Sequence, residues 1–550
     1  MTADLLLVNA NVLTMDPTAP RVSSVAITGG LVTAVGTDLP AREVINLPAR
    51  EVIDLGGATV LPGFHDAHNH MAWFGLTLTE IDLRAAAAGS LGDLYAAVAA
   101  RAQAVSDGWV IGSGYDQNKI GGHPDRDGLD RAAPGRRVWL RHTSGHMCVV
   151  SSAVLADLGL ADHGMQVPGG TVVTDPAGRP TGLLQERAQE LVGDLVHPYP
   201  VSVIADAVDR AGSQYLSEGI TSVTEAGIGA GWIGHTPVEL AAYQAARESG
   251  RLRVRVELMI ASDALHALAA HPDDDLELGL DLGIRTGFGD DWLRIGAMKV
   301  FTDGSLVGRT AAMHDCYTGE PDNLGYLQAD ADALTATIIA AHRSGWQVAA
   351  HAVGDRAIDL VLDAYAQAQR RYPRTGTRHR IEHFALSSPD HVARAAALGV
   401  IPVPQGRFAT ELGDGMLTAI EPARHDRLYR QRSLLAAGLV LPGSSDRPVV
   451  AGAPLLGVHD MVNRRTAAGA PFNPAESITA EQAIRAYTSG SAYASHAEDR
   501  KGMIAPGRLA DLAVLSDDPA AVSPSGIAGI EVLATFVAGQ CRYDATGNWS

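Results

Sequence analysis

Two histidines separated by one residue, His68 and His70, stand in the segment LPGFHDAHNH directly after an apolar run. Alternate residues of an extended chain project to the same side, so the two imidazoles can share one metal ion. Neutral imidazole is a common metal ligand in proteins. The pair therefore predicts a metal site at the end of a strand.

The position of one lysine points to a second kind of ligand. The chain has 43 basic residues, and lysine occurs only at Lys119, Lys299 and Lys501. Lys299 lies in the apolar segment AMKVFTDGS, where burial favours the uncharged amine. A neutral amine can add carbon dioxide to form an anionic carbamate, which can bridge two metal ions; arginine cannot. The alternative for Lys299 is an ammonium paired with Asp303.

Three more residues end predicted strands: His351 in AAHAVGD, His383 in IEHF and Asp446 in PGSSDRPV. Each alone has an ordinary explanation, since buried histidines are often structural and an aspartate can cap a helix. The residues that share a strand-end position are His68, His70, Lys299, His351, His383 and Asp446. If these strands form one parallel barrel, all six side chains meet at its mouth. Their joint occurrence predicts a single site.

The elements that must position these residues alternate between short β-rich runs and helical-period segments, which is typical of β/α units. The predicted strands are Ala58–Phe64, Gly219–Ala226, Arg253–Ile260, Leu293–Thr302, Trp346–Ala352, His379–Phe384, Gly399–Pro404 and Gly438–Gly443. Eight β/α repeats close a TIM barrel. The predicted fold class is therefore α/β, with a (β/α)8 barrel.

The rest of the chain predicts two additions to this barrel. The segments Ala3–Leu55 and Asp511–Tyr543 alternate as short strands and turns, and predict one small β-sandwich built from both termini. The first two barrel strands are too far apart for one crossover, so an insertion is expected between them. The predicted boundaries are 1–57 and 497–550 for the sandwich and 58–496 for the barrel, with the inserted subdomain at about 76–205.

Composition excludes several classes of protein. A formal charge of −19 disfavours binding to nucleic acid or to an anionic membrane surface. Three scattered cysteines argue against a disulfide framework and for a reducing compartment. The first residues do not resemble a signal peptide, and no apolar run is long enough to span a membrane. We expect a cytoplasmic protein that acts on a small molecule, and the acidic surface allows a homodimer.

The segments around these residues resemble the amidohydrolase superfamily of metal-dependent hydrolases. The resemblance covers nearly the whole chain, from PGFHDAHNH through the barrel ligands to KGMIAPGRLADLAVL. The segments SGHMCVVSSAVL, PTGLLQERA, KVFTDGSL, HAVGDRAI, IEHF and GSSDRPV are similar to the branch that contains N-substituted formamide deformylase. One departure is His65, where many relatives have an aliphatic residue, so this side chain either approaches the site or packs.

The resemblance implies a particular use of the six residues. His68, His70 and Asp446 would bind the more buried metal, and carbamylated Lys299 would bridge to a second metal. The ligands of that second metal would be His351 and His383. One or two ions are allowed; the nitrogen and oxygen ligands favour zinc, with manganese, cobalt or iron as alternatives. In the implied mechanism, metal-activated hydroxide attacks the carbonyl, and Asp446 takes up a proton and gives it to the leaving nitrogen.

Four residues are candidates for contact with the substrate. His146 matches a motif of the family and would contact substrate or stabilise the oxyanion, or else be structural. Glu186 has the same status, with a helix salt bridge as its alternative. Trp73 and Phe74 either line a substrate pocket or pack within the barrel. The expected reaction is hydrolysis of a small amide, possibly an N-substituted formamide; the alternatives are an ester or lactone, a carbamate, a cyclic amide, an amidine, or a non-catalytic scaffold.

Overall fold

The computed structural model describes residues 3–36, 49–84, 86–105, 108–161, 163–231 and 233–549, without the side chain of residue 272. Residues 1, 2, 37–48 and 550 of the predicted sandwich, and 85, 106, 107 and 162 of the predicted insertion, lie outside the described residues. Among the described residues, no helix combines the length and the apolar character that crossing a membrane requires. The exact domain boundaries stay predictions.

A parallel sheet of seven strands forms the barrel. In chain order its strands are Phe64–Asn69, Ile220–Ile228, Arg255–Ala261, Leu293–Phe301, Val348–Ala352, Arg380–His383 and Ile401–Val403. Each strand pairs with the next strand along the chain. The predicted eighth strand, Gly438–Gly443, has no strand assignment in the described structure. The chain there still contacts both edges of the sheet: Ala67 N donates to Gly443 O at 2.9 Å and Asp446 N to His68 O at 2.8 Å, and Ser444 Oγ donates to Pro404 O, after the seventh strand, at 3.2 Å.

The prediction puts the first barrel strand, Ala58–Phe64, too early in the chain. In the structure Thr59–Pro62 pairs with Leu512–Leu515 in a sheet of the terminal domain. The barrel strand follows it, after Gly63, where a Cβ atom would come within 2.2 Å of Thr221. The apolar run therefore belongs to the other sheet. The barrel strand itself is a polar, fully buried segment, which a search for apolar runs does not recognise.

Amphipathic helices cover the outside of the barrel. They are Val201–Ser217, Glu239–Glu248, Ala331–Arg343, Asp355–Arg371 and Pro389–Leu398. In Asp355–Arg371 the buried side chains include Ile358, Val361 and Leu362, at the spacing of one helix face. Burying each such side chain contributes roughly 1.5–3 kcal/mol.

The remaining α-helices lie in the insertion and in the loops. Before the second barrel strand they are Met71–Thr77, Leu91–Ala104, Gln117–Ile120, Arg126–Ala132, Ser152–Asp157 and Glu190–Val196. After the seventh barrel strand they are Phe408–Glu411, Gly413–Ala419, Gln431–Ala436, Pro454–Asn463, Ala480–Arg485 and Ser491–Ala494. Met71–Thr77 starts directly after His70, so the strand that carries the histidine pair turns at once into a helix.

Both termini build the β-sandwich. One sheet contains Ala3–Val8, Ser24–Thr28, Leu31–Gly36 and Ala49–Asp54. The other contains Asn11–Leu13, Arg21–Val22, Thr59–Pro62, Leu512–Leu515, Val532–Val537 and Gln540–Asp544. Leu7 and Val25 of the first sheet share one apolar core with Val60 and Phe536 of the second. The sandwich predicted in the fold class is thus formed by strands more than 450 residues apart in sequence.

The insertion forms a sheet of its own and contacts the barrel mouth. Its strands are Ile81–Asp82, Trp109–Tyr115, Arg137–His142, Met147–Val150, Gln166–Val167, Gly170–Thr174 and Pro180–Glu186. Thr143 donates to Val449 O at 2.8 Å, and Lys119 Nζ donates to Glu411 O at 2.7 Å. These contacts fix the insertion beside the loops that follow the barrel strands. A short hairpin, His266–Ala267 with Leu278–Gly279, completes the strands of the described residues.

A buried histidine pair between helices predicts a pH dependence of stability. His379 Nδ1 accepts from Val348 N at 3.0 Å, so its Nε2 donates to His342 Nδ1 at 2.7 Å. Burial lowers the pKa of both histidines, that of His379 well below its ordinary value. Because the unfolded chain then binds more protons below about pH 6.5, stability is lost as the pH falls. At pH 5.5 we expect His379 to account for about 1.4 kcal/mol of lost stability.

The test compares urea unfolding at pH 7.5 and pH 5.5. His379→Gln should lose less stability over this interval than the unmodified protein, whatever its stability at pH 7.5. The control is His163→Gln, the same change at an exposed histidine. Equal losses in the two variants would show that the buried pair does not titrate as its environment requires.

Candidate metal centre

The end of the first barrel strand presents two imidazoles to one carboxylate. His68 Nε2 and His70 Nε2 lie 3.2 Å and 3.1 Å from the same oxygen, Oδ1 of Asp446. One ligand atom from each of these three buried residues lies within 4.8 Å of the others. Three nitrogen and oxygen donors at this separation are suited to one divalent metal ion.

Two of the strand-end residues adopt a backbone conformation that is rare outside glycine. The φ angle of Asp446 is 61° and that of His383 is 72°. Left-handed conformations of residues with a Cβ atom cost about 1–3 kcal/mol and cluster at functional sites. The surrounding hydrogen bonds, such as Asp446 N to His68 O, hold this conformation in place.

The other strand-end residues close the same cluster. The ring centroids of His351 and His383 are 4.5 Å apart, and those of His68 and His383 are 5.2 Å apart. Lys299 is 1% exposed and lies with its Nζ 4.7 Å from the ring centre of Phe301. All six predicted ligand residues line one cavity of about 20 Å³, which we call the metal cavity. The structure therefore brings together the complete set predicted from the sequence.

Each of three imidazoles is oriented by an acceptor on its Nδ1 atom. His68 Nδ1 bonds a carboxylate oxygen of Glu382, and His351 Nδ1 lies 3.1 Å from Asp303. His383 Nδ1 donates to the side-chain oxygen of Gln405 at 2.8 Å. An acceptor on one ring nitrogen fixes the proton there and turns the other nitrogen towards a metal.

The atoms that face the cavity lack other partners. His68 Nε2, His351 Nε2 and Lys299 Nζ are buried and have no hydrogen-bond partner within the part of the chain that the structure describes. A buried polar atom without a partner costs about 1–3 kcal/mol. Ligation of a metal ion satisfies such nitrogen atoms, so the residues present fit a metal centre.

Burial sets the protonation of three of the four imidazoles. It lowers the pKa of His351 well below its ordinary value, that of His383 to about 3 and that of His70 to about 4. At His68 the carboxylates of Asp446 and Glu382 outweigh burial and raise the pKa. Neutral imidazole is the form that binds metals. Burial also lowers the pKa of Lys299 to about 8. Burial alone would raise the pKa of Asp446, but His68 and His70 outweigh it and hold that pKa well below its ordinary value.

The alternative for Lys299, an ion pair with Asp303, does not match the contacts of Asp303. Its carboxylate accepts from the backbone N–H groups of Ala312, Val353 and Gly354 at 2.8–3.3 Å. The same carboxylate orients His351. The carboxylate of Asp303 thus bonds His351 and the backbone near it, and these contacts account for its position without an ion pair to Lys299.

We expect Gln405→Met to weaken metal binding. The change removes the acceptor that orients His383, and loss of such a partner typically costs about 10–100-fold in metal affinity. A competition titration with a chromophoric chelator measures the affinity. The control is Gln347→Met, the same change at a buried glutamine that bonds backbone oxygens of Arg378 and Ala494. Equal affinity in the two variants would contradict an orienting role for Gln405.

Comparison with known proteins agrees with this geometry. The sequence profile of the amidohydrolase family matches residues 51–543. The chain belongs to the amidohydrolase family. It is therefore an enzyme of the hydrolase class that acts on carbon–nitrogen bonds, and the predicted family is confirmed.

Relatives of this amidohydrolase cover its whole length. It is 29% identical to the putative amidohydrolase YtcJ of Bacillus subtilis (strain 168), over 97% of this chain and 98% of the relative. It is 30% identical to N-substituted formamide deformylase of Arthrobacter pascens, over 99% of each chain. The crystal structure of an uncharacterised metal-dependent hydrolase from Pyrococcus horikoshii OT3 superposes with a TM-score of 0.74 at 26% identity. That match covers 94% of this chain and 99% of the other.

The insertion of this amidohydrolase contributes a histidine to the metal cavity. His146 lines the cavity with its ring centroid 5.1 Å from that of His351. Its Nδ1 lies 2.7 Å from Glu186, whose carboxylate also accepts from Gln328 Nε2 at 2.6 Å. Glu186 is fully buried and has a φ angle of 51°. Glu186 therefore contacts His146 and orients it, and it is not itself among the residues that line the cavity.

The two aromatic candidates occupy different places. Trp73 lines the metal cavity, with its ring centroid 5.7 Å from that of His70, and its buried Nε1 has no hydrogen-bond partner among the described residues. Phe74 stacks on Tyr215 and borders a cavity of about 450 Å³, which Trp73 also lines; Phe74 is not among the residues that line the metal cavity. His65 contacts Thr224 at 3.2 Å and is not among the residues that line the metal cavity. A role of Phe74 in substrate binding stays a prediction.

A further cavity of about 170 Å³ adjoins the metal cavity. Trp73, Gly145 and Ile233 line both. The walls of the larger one include Trp139 and the buried Arg141, whose guanidinium lies 4.2 Å from the Trp139 ring centre. This amidohydrolase thus has an open space beside the candidate metal ligands.

Sequence reasoning missed the residues that orient the ligands. These are Asp303, Glu382 and Gln405. Asp303 and Glu382 stand inside segments that carried the family resemblance, two residues after Phe301 and directly before His383. The expectation that a metal-bound histidine needs a second acceptor would have singled out both of them.

Proposed function

We propose that this enzyme hydrolyses the carbon–nitrogen bond of a small N-substituted amide, with an N-substituted formamide as the first candidate. The observation that carries the proposal is the group of His68, His70 and Asp446, in which both imidazole Nε2 atoms face one carboxylate oxygen. The similarity to N-substituted formamide deformylase over the full length of both chains supports the choice of substrate class.

We assign the metal ligands as follows. His68, His70 and Asp446 would hold one divalent ion, and His351 and His383 would hold a second. Lys299, as a carbamate, would supply an anionic ligand at the same place. The mixed nitrogen and oxygen donors favour zinc, and manganese, cobalt or iron are alternatives.

When bound, a divalent ion polarises a carbonyl group and lowers the pKa of a coordinated water. The residues of the chain provide the proton transfer. His68 and His70 hold the pKa of Asp446 well below its ordinary value, so the ionised form, which has a free oxygen for a proton, is the one present at neutral pH. The same carboxylate then returns the proton to the nitrogen of the departing amine, which cannot leave as an anion.

The insertion supplies the remaining groups of the site. His146, held by Glu186, is placed to donate a hydrogen bond to the oxygen of the substrate as negative charge develops there. The metal cavity holds only a small reacting group, and the adjoining cavity of about 170 Å³ receives the substituent on the amide nitrogen. Trp73 forms a wall common to both cavities.

A matched set of substrates tests the proposal. One amine is presented as its formamide and as its acetamide, and the corresponding alcohol as its formate ester, with zinc-loaded enzyme. The formamide should give the highest kcat/KM, because the small metal cavity leaves little space for an acyl chain. Preference for the acetamide would reject the formamide, and preference for the ester would reject amide hydrolysis as the main reaction.

Three predictions from the sequence stay predictions: a cytoplasmic location, a homodimer, and no binding of nucleic acid or membrane. Metal analysis by plasma mass spectrometry, together with crystallographic inspection of Lys299, tests the assignment of the ligands. One or two equivalents of transition metal and extra density on Nζ are expected. A purified enzyme that neither contains nor takes up metal would contradict it.

A further inference from the structure

Lys299 faces a second cavity besides the metal cavity. This second cavity, of about 340 Å³, is lined by Lys299, Val300 and Phe301 at the end of their strand. Its other walls come from the segments 261–265 and 328–337 and from Ala230, Gly231 and Ile233. We call it the lysine-side cavity. Its volume is far larger than the roughly 20 Å³ of the metal cavity.

A thin wall separates the two cavities. Ile233, Lys299 and Phe301 line both. Ile233 packs against Gly227, where a Cβ atom would come within 2.2 Å of its Cδ1 and within 3.5 Å of Lys299 Cγ. Gly227 has a φ angle of 136°, a conformation that side chains with a Cβ atom rarely adopt. The glycine thus allows Ile233 to lie beside the stem of the lysine.

The lining of the lysine-side cavity suits a small uncharged molecule. Most of its residues are apolar, among them Leu265, Leu278 and Leu334. The charged side chains besides Lys299 are Arg187 and Asp263, which pair with each other at 3.2 Å. An ion pair of this kind leaves no net charge to recognise an ionic substrate.

We propose that the lysine-side cavity is the route by which carbon dioxide reaches Lys299. The inference rests on the proposed function, because it requires the carbamate. In the reaction the Nζ lone pair forms a bond to the carbon of carbon dioxide. One carbon–oxygen π pair moves onto oxygen to give the carboxylate, and Nζ releases one proton to solvent. Carbon dioxide is apolar and small, and it matches this lining better than bicarbonate does.

The metal cavity is a poor route for the same molecule. Its volume of about 20 Å³ is close to that needed by one water. Its walls include all the predicted metal ligands and His146, so bound metal and substrate would compete for the remaining space. The lysine-side cavity reaches Lys299 without crossing the groups that bind substrate.

Isotope exchange into the carbamate of the holoenzyme tests this route. The enzyme is moved into buffer with ¹³C-bicarbonate, which supplies labelled carbon dioxide, and the carbamate signal is followed by ¹³C NMR. Ala333→Trp/Thr337→Trp places two large rings in the cavity from one helix. We expect label uptake at least tenfold slower than in the unmodified enzyme. Activity at equilibrium should stay within twofold, because the variant slows access without changing the final occupancy.

The control is Ala336→Trp, an exposed position of the same helix that does not line the cavity. Label uptake in the double variant within twofold of this control would overturn the proposed route. A crystal of the unmodified enzyme pressurised with carbon dioxide provides a second test without a variant. Density for the gas in the lysine-side cavity is expected, and its absence there would overturn the route.

Different outcomes reject the carbamate and the route of carbon dioxide. If Lys299 of the unmodified enzyme takes up no label, the carbamate itself is wrong, and with it the second metal site of the proposed function. If label enters the blocked and unblocked enzymes equally fast, the carbamate stands and only the route is wrong.

Discussion

Replacing Asp446 with asparagine is expected to lower kcat by about 10²–10⁴-fold while leaving the fold intact. The asparagine keeps the size of the side chain but cannot take up the proton. The carboxylate lies 3.1–3.2 Å from the Nε2 atoms of His68 and His70, so it is beside the place where these imidazoles would hold an ion that acidifies water. Stopped-flow or steady-state turnover of the best substrate at saturating metal gives the value.

The control for this variant is Asp460→Asn. Asp460 is also a buried aspartate, but it pairs with Arg407 and His459 and does not line the metal cavity. Metal content is measured in both variants, because the asparagine also weakens a ligand. If fully metal-loaded Asp446→Asn keeps normal turnover, another group transfers the proton, and the role assigned to Asp446 is wrong.

The ligand set could be read from the sequence because five members lie at the ends of barrel strands and Asp446 follows the segment predicted as the eighth. A parallel barrel brings all carboxyl ends of its strands to one mouth, so position along the chain was enough to place the six residues together. The residues that orient these ligands from across the barrel could not be predicted in the same way. Glu382 bonds His68 over 314 residues of sequence. Strand periodicity tells which side chains share a face, but it does not tell which residue of a distant strand lies opposite.

The first and eighth barrel strands were also predicted incorrectly. Thr59–Pro62 is apolar and belongs to the sandwich, whereas the following barrel strand is polar because it carries the chemistry. The usual pattern of a buried parallel strand, a continuous apolar run, therefore fails where the strand forms the site. The eighth segment fails for another reason. Its residues bond the first strand through single contacts around Asp446, whose φ angle of 61° interrupts a regular ladder.

The candidate substrate-binding residues were the hardest to assign from the sequence. Trp73 and Phe74 are neighbours on one short helix and were indistinguishable as candidates. Consecutive helical residues point in different directions, so Trp73 faces the metal cavity and Phe74 stacks on Tyr215. Glu186 depends on a left-handed backbone that brings its carboxylate to His146. Neither arrangement has a signature in residue types or spacing.

Lys299→Ala and Lys299→Arg are both expected to lose at least about a hundredfold in turnover, from several kcal/mol of lost charge stabilisation. Both should also lose the metal held by His351 and His383. Arginine keeps the positive charge but cannot form a carbamate. If Lys299 served only as a buried ammonium, arginine would preserve much of the metal content and activity. Plasma mass spectrometry and turnover, measured on the same preparations, separate these cases.

Chemical rescue distinguishes a missing carboxylate from a damaged fold. Truncation at Lys299→Ala leaves space beside the ligands, so formate or acetate with added metal should restore part of the metal content and activity. Lys299→Arg fills that space and should not respond. Lys501→Ala is the control, because burial also lowers the pKa of Lys501, to about 7, yet this lysine does not line the metal cavity. Normal metal content in unrescued Lys299→Ala would mean that the lysine takes no part in holding the second ion.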